Sequence, residues 1–173
     1  MEEKNFNVIK TEEQFLSNYN LHDLAKKAGE EILKAKCYST EIFGEDRRHE
    51  NLWEAGQDKP DCFIIDKNKN RICLLDWKGK KSKGYRLNKR AFNSYLKISI
   101  QTKLQILAAM AFFDDNKNII EFSFFNLNET GIIMKENCEW DKNITVILNP
   151  ELRRDFYKID EYLISLQQVQ PKS

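Results

Sequence analysis

Residues 60–78 read PDCFIIDKNKNRICLLDWK, and the reading of this stretch decides the fold. Two short apolar runs, CFIID at 62–66 and RICLLDW at 71–77, flank the polar segment KNKN. Asn tolerates the left-handed backbone that a tight turn needs, so the stretch predicts a β-hairpin. If the chain turns about the midpoint of Asn68 and Lys69, cross-strand partners carry numbers that sum to 137. Asp61 then faces Asp76, with Cβ atoms about 5 Å apart. Side chains alternate along a strand, which puts Lys78 on the face of Asp76. Two acids and one lysine converge on one patch, while Cys62 and Cys73 point to the opposite face.

Like charges directly across a sheet repel. Here they end two strands that are otherwise apolar on both faces, where an uncompensated charge is costly. A divalent cation supplies a reason for the arrangement, because hard cations bind carboxylate oxygens together with water. A lone D-x-K is common and carries little weight. A Pro-Asp before one strand, in register with a D-x-K on its partner, carries more.

Outward from the hairpin, Thr11 with Glu12 and Glu13 marks the start of a short helix. A second helix is expected over about 21–36, where Leu21, Leu24, Ala25, Ala28 and Ile32 fall at helical spacing. Residues 38–44 predict a first strand, and 45–60 a polar loop. Residues 88–98 read as a helix with Phe92, Tyr95 and Leu96 on one face. Residues 103–113 (KLQILAAMAFF) read as a strand despite their Leu and Ala content, with a hairpin through DDNKN into IIEFSFFNL. GIIMKE and ITVIL predict two more strands. A C-terminal helix is expected from Asn149 as cap and Pro150 in the first turn, with Leu152, Phe156, Ile159, Leu163 and Leu166 as its apolar stripe. The order predicts a mixed α/β fold in a single domain over 1–173.

Composition narrows the classes. A chain of 173 residues, 41% hydrophobic with 11 Phe, suits a globular core rather than disorder. No run of 18 apolar residues offers a membrane span. The acidic, polar start MEEKNFNVIKTEE is wrong for a secretory signal, so a cytoplasmic protein is expected. Cys37, Cys62, Cys73 and Cys138 form no CxxC pair and read as buried thiols, not as a zinc site or disulfide framework. The net charge is only +1, yet 78–90 (KGKKSKGYRLNKR) holds seven basic residues and no acid. This local positive patch suits phosphate contact. Its candidates are Lys80, Lys81, Lys83, Tyr85, Arg86, Lys89 and Arg90, with Tyr85 and Arg86 able to track a backbone or stack on a base. Arg47, Arg48, His49 and Trp53 in the preceding loop are lesser candidates.

Pro60-Asp61, fifteen residues before Asp76-Trp77-Lys78 on a paired strand, resembles the motif of the PD-(D/E)xK nuclease superfamily, which includes restriction endonucleases, Holliday-junction resolvases and RecB-like nucleases. The resemblance covers about residues 20–115 and implies a restriction-endonuclease-like core, a mixed sheet flanked by helices in the order αβββαβ, here with extra C-terminal strands and a helix. It implies a Mg-dependent deoxyribonuclease, with Mn as a substitute metal. Asp61 and Asp76 would be metal ligands, Trp77 part of the same set, and Lys78 the catalytic lysine beside the attacking water. Many members add a Glu from the first core helix. Glu31, on the flank of the apolar stripe, is the choice over Glu30, with Glu41 in reserve. Some relatives place a metal-binding His upstream of the Pro-Asp, which singles out His49. The clustered cysteines of an iron–sulfur RecB-like nuclease are missing. DNA is the expected partner over RNA, and many such enzymes are homodimers. With no separate target-recognition domain evident, structure-directed cutting is expected. A catalytically silent nucleic-acid-binding or protein-interaction module on the same fold is the alternative.

Overall fold

The computed structural model describes residues 12–44, 58–82, 84–140 and 142–169. Thr11, Arg47, Arg48, His49, Trp53 and Lys83 fall outside them. The chain opens with helix α1 (Glu12–Ala35), followed by strands β1 (Ser39–Ile42), β2 (Cys62–Ile65) and β3 (Arg71–Lys80). A short strand β4 (Arg86–Asn88) leads into helix α2 (Lys89–Thr102) and strand β5 (Ile106–Phe113). This is the expected αβββαβ order with one strand inserted, since β4 belongs to a second sheet, and beyond it come β6 (Ile119–Asn126), β7 (Ile133–Trp140), β8 (Asn143–Leu148), β9 (Arg154–Asp155) and helix α3 (Ile159–Val169).

Six strands form one sheet in the order β1-β2-β3-β5-β6-β9. Only β3 and β5 run parallel, and α2 supplies the crossover that a parallel pair requires. A second sheet has the order β4-β8-β7. The central strands β3 and β5 are covered on both sides, so their sequences read as continuous apolar runs rather than alternating ones. On one side Cys62, Ile64, Leu75 and Trp77 pack with α1 and α3 residues such as Ala25, Leu33 and Leu163. On the other Phe63, Leu74, Met110 and Phe112 pack with Phe92 and Tyr95 of α2 and Val146 of the second sheet.

The β2–β3 hairpin has the expected register: Cys62 pairs with Leu75, Phe63 with Leu74 and Ile64 with Cys73. A bulge then shifts Ile65 onto Arg71. The turn is made by Asp66, whose Oδ1 accepts from the backbone N of Asn68 at 2.8 Å and of Asn70 at 2.9 Å. The left-handed residue is Lys69 (φ 67°), not an Asn. The same device recurs at 114–118, where Asp114 Oδ1 accepts from Asn116 and Asn118 and Lys117 has φ 62°.

Two expectations are corrected at the ends of the chain. The expected short helix and its successor are one 24-residue helix, since no Gly or Pro before residue 21 stops it. At the other end, Asn149 caps only a single 3-10 turn, Pro150–Leu152, by accepting from Glu151 N at 3.1 Å. Arg154 then pairs in β9 with Phe124, and its guanidinium holds Glu129 at 2.7 Å. These contacts keep 153–155 extended, so α3 starts only at Ile159. Phe156 serves the core from outside the helix, stacked on Phe122 with centroids 4.2 Å apart. Among the described residues, no helix is long and apolar enough to cross a membrane.

Candidate active site

Asp61 lies at the bend just before β2, and Asp76 lies within β3. The register of the hairpin, continued by one step, sets these two residues opposite each other. Asp61 turns its carboxylate to the neighbouring strand, where Oδ2 accepts from the backbone N of Trp77 at 2.7 Å. Asp76 is buried, 2% exposed, and its Oδ1 accepts from the hydroxyl of Tyr95 on α2 at 2.8 Å. Lys78 Nζ stands 2.7 Å from Asp76 Oδ2. At that distance the ammonium donates to the carboxylate oxygen, a charge-assisted contact. The side chain of Lys78 is one-third exposed.

A fourth side chain was not foreseen from the sequence. His22 of α1 places Nε2 3.3 Å from Asp61 Oδ2. Its Nδ1 is buried and makes no hydrogen bond, with Asp23 Oδ1 3.5 Å away. The close approach depends on Gly79 of β3. A Cβ there would lie 2.0 Å from Leu21 O and 2.7 Å from His22 N, so only glycine lets the helix backbone come this near. Gly29 does the same one face along, where a Cβ would meet the Trp77 ring at 2.1 Å. A His near the start of an apolar stripe gives no signal by itself. The signal that existed was the glycine two positions after Asp76-Trp77, in a strand otherwise rich in bulky residues.

The electrostatics follow from burial and from these contacts. For Asp61, burial pushes the carboxyl up, but the hydrogen bond from His22 and the charge of Lys78 outweigh it and hold it low. Asp76 goes the other way: burial raises it, Lys78 opposes, and Asp61 adds to the rise. Burial alone would lower Lys78, yet the charges of Asp76 and then Asp61 reverse this and keep it an ammonium. His22 is likewise disfavoured as a cation by burial and raised on balance by Asp61.

Other expected site residues fall elsewhere. Glu31 is exposed, and it lies nine residues beyond His22, about 13 Å along the helix and half a turn round. It therefore does not join the cluster. Glu30 accepts from Thr40 Oγ1 at 3.1 Å, and Glu41 pairs with Arg71. Arg90 is committed to Asp58, with Nε 2.8 Å from Oδ2, so it fixes the entry to β2 and is not free for phosphate. The Tyr85 ring packs against Phe112 and Phe125, and its hydroxyl donates to Glu121 at 2.7 Å, which removes it as a stacking platform. Lys89 bonds Asn137. Lys80 donates to Arg86 O at 2.5 Å and Gly84 O at 3.3 Å, while Lys81 is exposed. Arg86 lies over the Trp140 ring.

The donor set suits a hard divalent cation. Among the described residues no group of three or more His, Cys, Asp or Glu side chains is placed to hold a metal ion. Mg²⁺, however, commonly keeps several waters and takes only one or two carboxylates besides substrate phosphate. Asp76 Oδ2, buried beside a second carboxylate and held by the Lys78 ammonium at 2.7 Å, is an oxygen of that kind.

No family model matches the sequence, and no curated protein matches it either. Among solved structures, the chain is similar to Hjc of Archaeoglobus fulgidus, a Holliday junction resolvase from an archaeal hyperthermophile. The match has a TM-score of 0.50 at 9% identity and covers 80% of this chain and 98% of that one. Together with the order of its elements and the mixed sheet, this likeness shows that the chain has the restriction-endonuclease-like fold.

Proposed function

We propose that this protein is a metal-dependent nuclease that hydrolyses phosphodiester bonds of DNA, as a structure-directed endonuclease. One observation carries the reading: a carboxylate as buried as Asp76 is held against Lys78 and beside Asp61, within a strand that is otherwise apolar along its buried part. Isolated buried charge is costly, so the cluster has a purpose other than stability. The shared fold supports the reading, and Hjc is by its description a Holliday junction resolvase.

Asp61 and Asp76 would hold the cation, with Trp77 contributing from between them. A bound Mg²⁺ would polarise the scissile phosphate and offset charge developing there. Lys78 stays protonated beside the two acids, so it donates hydrogen bonds and positive charge rather than acting as a base. From there it can meet a phosphate oxygen or orient the attacking water. His22 and the Trp77 N–H fix one oxygen of Asp61, and Tyr95 fixes one of Asp76. Each carboxylate keeps its remaining oxygen aimed by these contacts, which is how a site is preorganised.

The test is cleavage of labelled linear, nicked, flapped and four-way DNA in Mg²⁺ and Mn²⁺. Wild-type protein is expected to cut branched substrates in preference to linear duplex. Asp76→Ala is expected to stay folded and lose all metal-dependent cleavage. Cleavage unchanged in that variant would reject the assignment.

A further inference from the structure

The second sheet carries a surface that the cleavage chemistry does not use. Arg86 pairs with Ile147, Cys138 with Thr145 and Trp140 with Asn143. Residues 143, 145 and 147 alternate onto one face of β8, so Arg86, Cys138 and Trp140 share that face. Lys135, exposed and also paired with Ile147, joins them. Leu87 and Val146 point the other way into the core. Trp140 is 55% exposed, which is unusual for the largest apolar side chain. The Arg86 guanidinium lies 4.8 Å from its ring centroid. One face of the indole is thus held by a cation while much of the ring remains open to solvent.

The patch is tied to the catalytic strand. Lys80 and Lys78 lie on one face of β3, about 7 Å apart along the strand. The Lys80 ammonium grips the carbonyl of Arg86 at 2.5 Å and that of Gly84 at 3.3 Å. This joins the first residue of β4 to the strand that bears Asp76. Among the described residues, two acids of β7 lie near this face. Glu136 is paired with Lys89 at 3.9 Å, and Glu139, adjacent to Trp140 in the strand, points to the opposite side.

We propose that Trp140, held by Arg86, is a stacking platform for an unpaired base of a DNA strand, with Arg86 and Lys135 taking the flanking phosphates. The inference rests on the nuclease reading and names the part of the substrate that this reading leaves open: a single-stranded segment beside the cut site. An exposed aromatic ring braced by arginine is suited to a base whose faces are free, and the surrounding cations match the charge of a backbone. A duplex has no free base face to offer, so the platform discriminates unpaired from paired strands.

The experiment is fluorescence anisotropy of the full chain in EDTA, so that no cleavage occurs, with labelled oligo-dT and a labelled duplex of equal length. Stacking on one aromatic ring corresponds to a loss of roughly tenfold in single-strand affinity for Trp140→Ala. Trp140→Phe is expected to recover most of that loss, and duplex affinity to change little in both variants. Thermal melts check that each variant folds. Equal single-strand affinity in wild type and Trp140→Ala overturns the proposal, as does an equal loss for both probes. Loss of self-association in Trp140→Ala with unchanged oligo-dT binding would make the patch a contact between copies and also overturn it. The nuclease reading is judged separately by Asp76→Ala cleavage. Cutting by wild type with no effect of Trp140→Ala sinks only the platform.

Discussion

His22 Nε2 stands 3.3 Å from Asp61 Oδ2, a contact that spans 39 residues of chain and joins α1 to the hairpin. The pair titrates in opposite directions: Asp61 is lowered, His22 raised. The stability from Asp61 is present above the ordinary carboxylate range and is lost as pH falls through its lowered folded value. The stability from His22 is fully present below its ordinary 6.5 and is lost as pH rises through the raised folded value. Both hold together only in the mildly acidic window between. In metal-free protein, His22→Leu is therefore expected to reduce the unfolding free energy at about pH 5.5 by about 1 kcal/mol, and by less at about pH 8.5. Urea denaturation at the two pH values checks this, and a difference independent of pH would assign His22 to packing alone.

Gly79 controls that contact. A Cβ at this position would lie 2.0 Å from Leu21 O, and both clashing groups are backbone. Gly79→Ala must push α1 off the sheet, and overpacking of this kind costs about 1–3 kcal/mol. For a chain of this size, 2 kcal/mol corresponds to a fall in Tm of about 4–8 °C. The same shift draws His22 away from Asp61, so metal-dependent cleavage is expected to drop more than the loss of folded protein explains. A variant with full wild-type Tm would show that the helix and strand are not packed this closely.

The hairpin was legible because two independent codes agree there: strand alternation and turn chemistry. The register followed from residue numbers, and the structure departs from it only at the bulge after Ile64. Tertiary contacts hid the rest. The stripe from Leu152 to Leu166 has helical spacing, but Arg154 finds Phe124 and Glu129 and keeps the first part extended. Arg90 and Tyr85 belong to a basic run that suggests solvent and phosphate, yet Asp58 and Glu121, distant in sequence, engage them. Helix phase alone could rank Glu31 against Glu30, but not reveal that α1 approaches the site through His22, because that depends on where Gly79 lets the helix sit.

Tyr95 gives the clearest separation of positioning from folding. Its hydroxyl donates to Asp76 Oδ1 at 2.8 Å, and burial with the neighbouring acid raises its own pKa well above the usual phenol value, so it remains a donor. Tyr95→Phe keeps the ring in the core beneath α2 and removes only the donor. Leaving that buried carboxylate oxygen unsatisfied is expected to cost about 1–3 kcal/mol of stability. In cleavage assays the loss is expected in kcat at saturating Mg²⁺, with a raised Mg²⁺ requirement. Wild-type kcat and metal dependence in Tyr95→Phe would show that Asp76 is held by Lys78 alone.

Lys80 makes a prediction on the alkaline side. Burial, reinforced by the charges of Lys78 and Arg86, lowers its pKa from 10.5 to about 8. Between these values the unfolded chain binds a proton that the folded chain does not, so this group makes stability rise with pH across the interval. That is the reverse of a lysine paired with an acid. Lys80→Met removes the titration, and the wild-type advantage over the variant is expected to grow by about 1–2 kcal/mol from pH 7.5 to 10, as followed by urea denaturation. Parallel curves would mean that Lys80 remains a solvated cation throughout, and the link between β3 and the Arg86 carbonyl would then be too loose to hold the second sheet beside the active site.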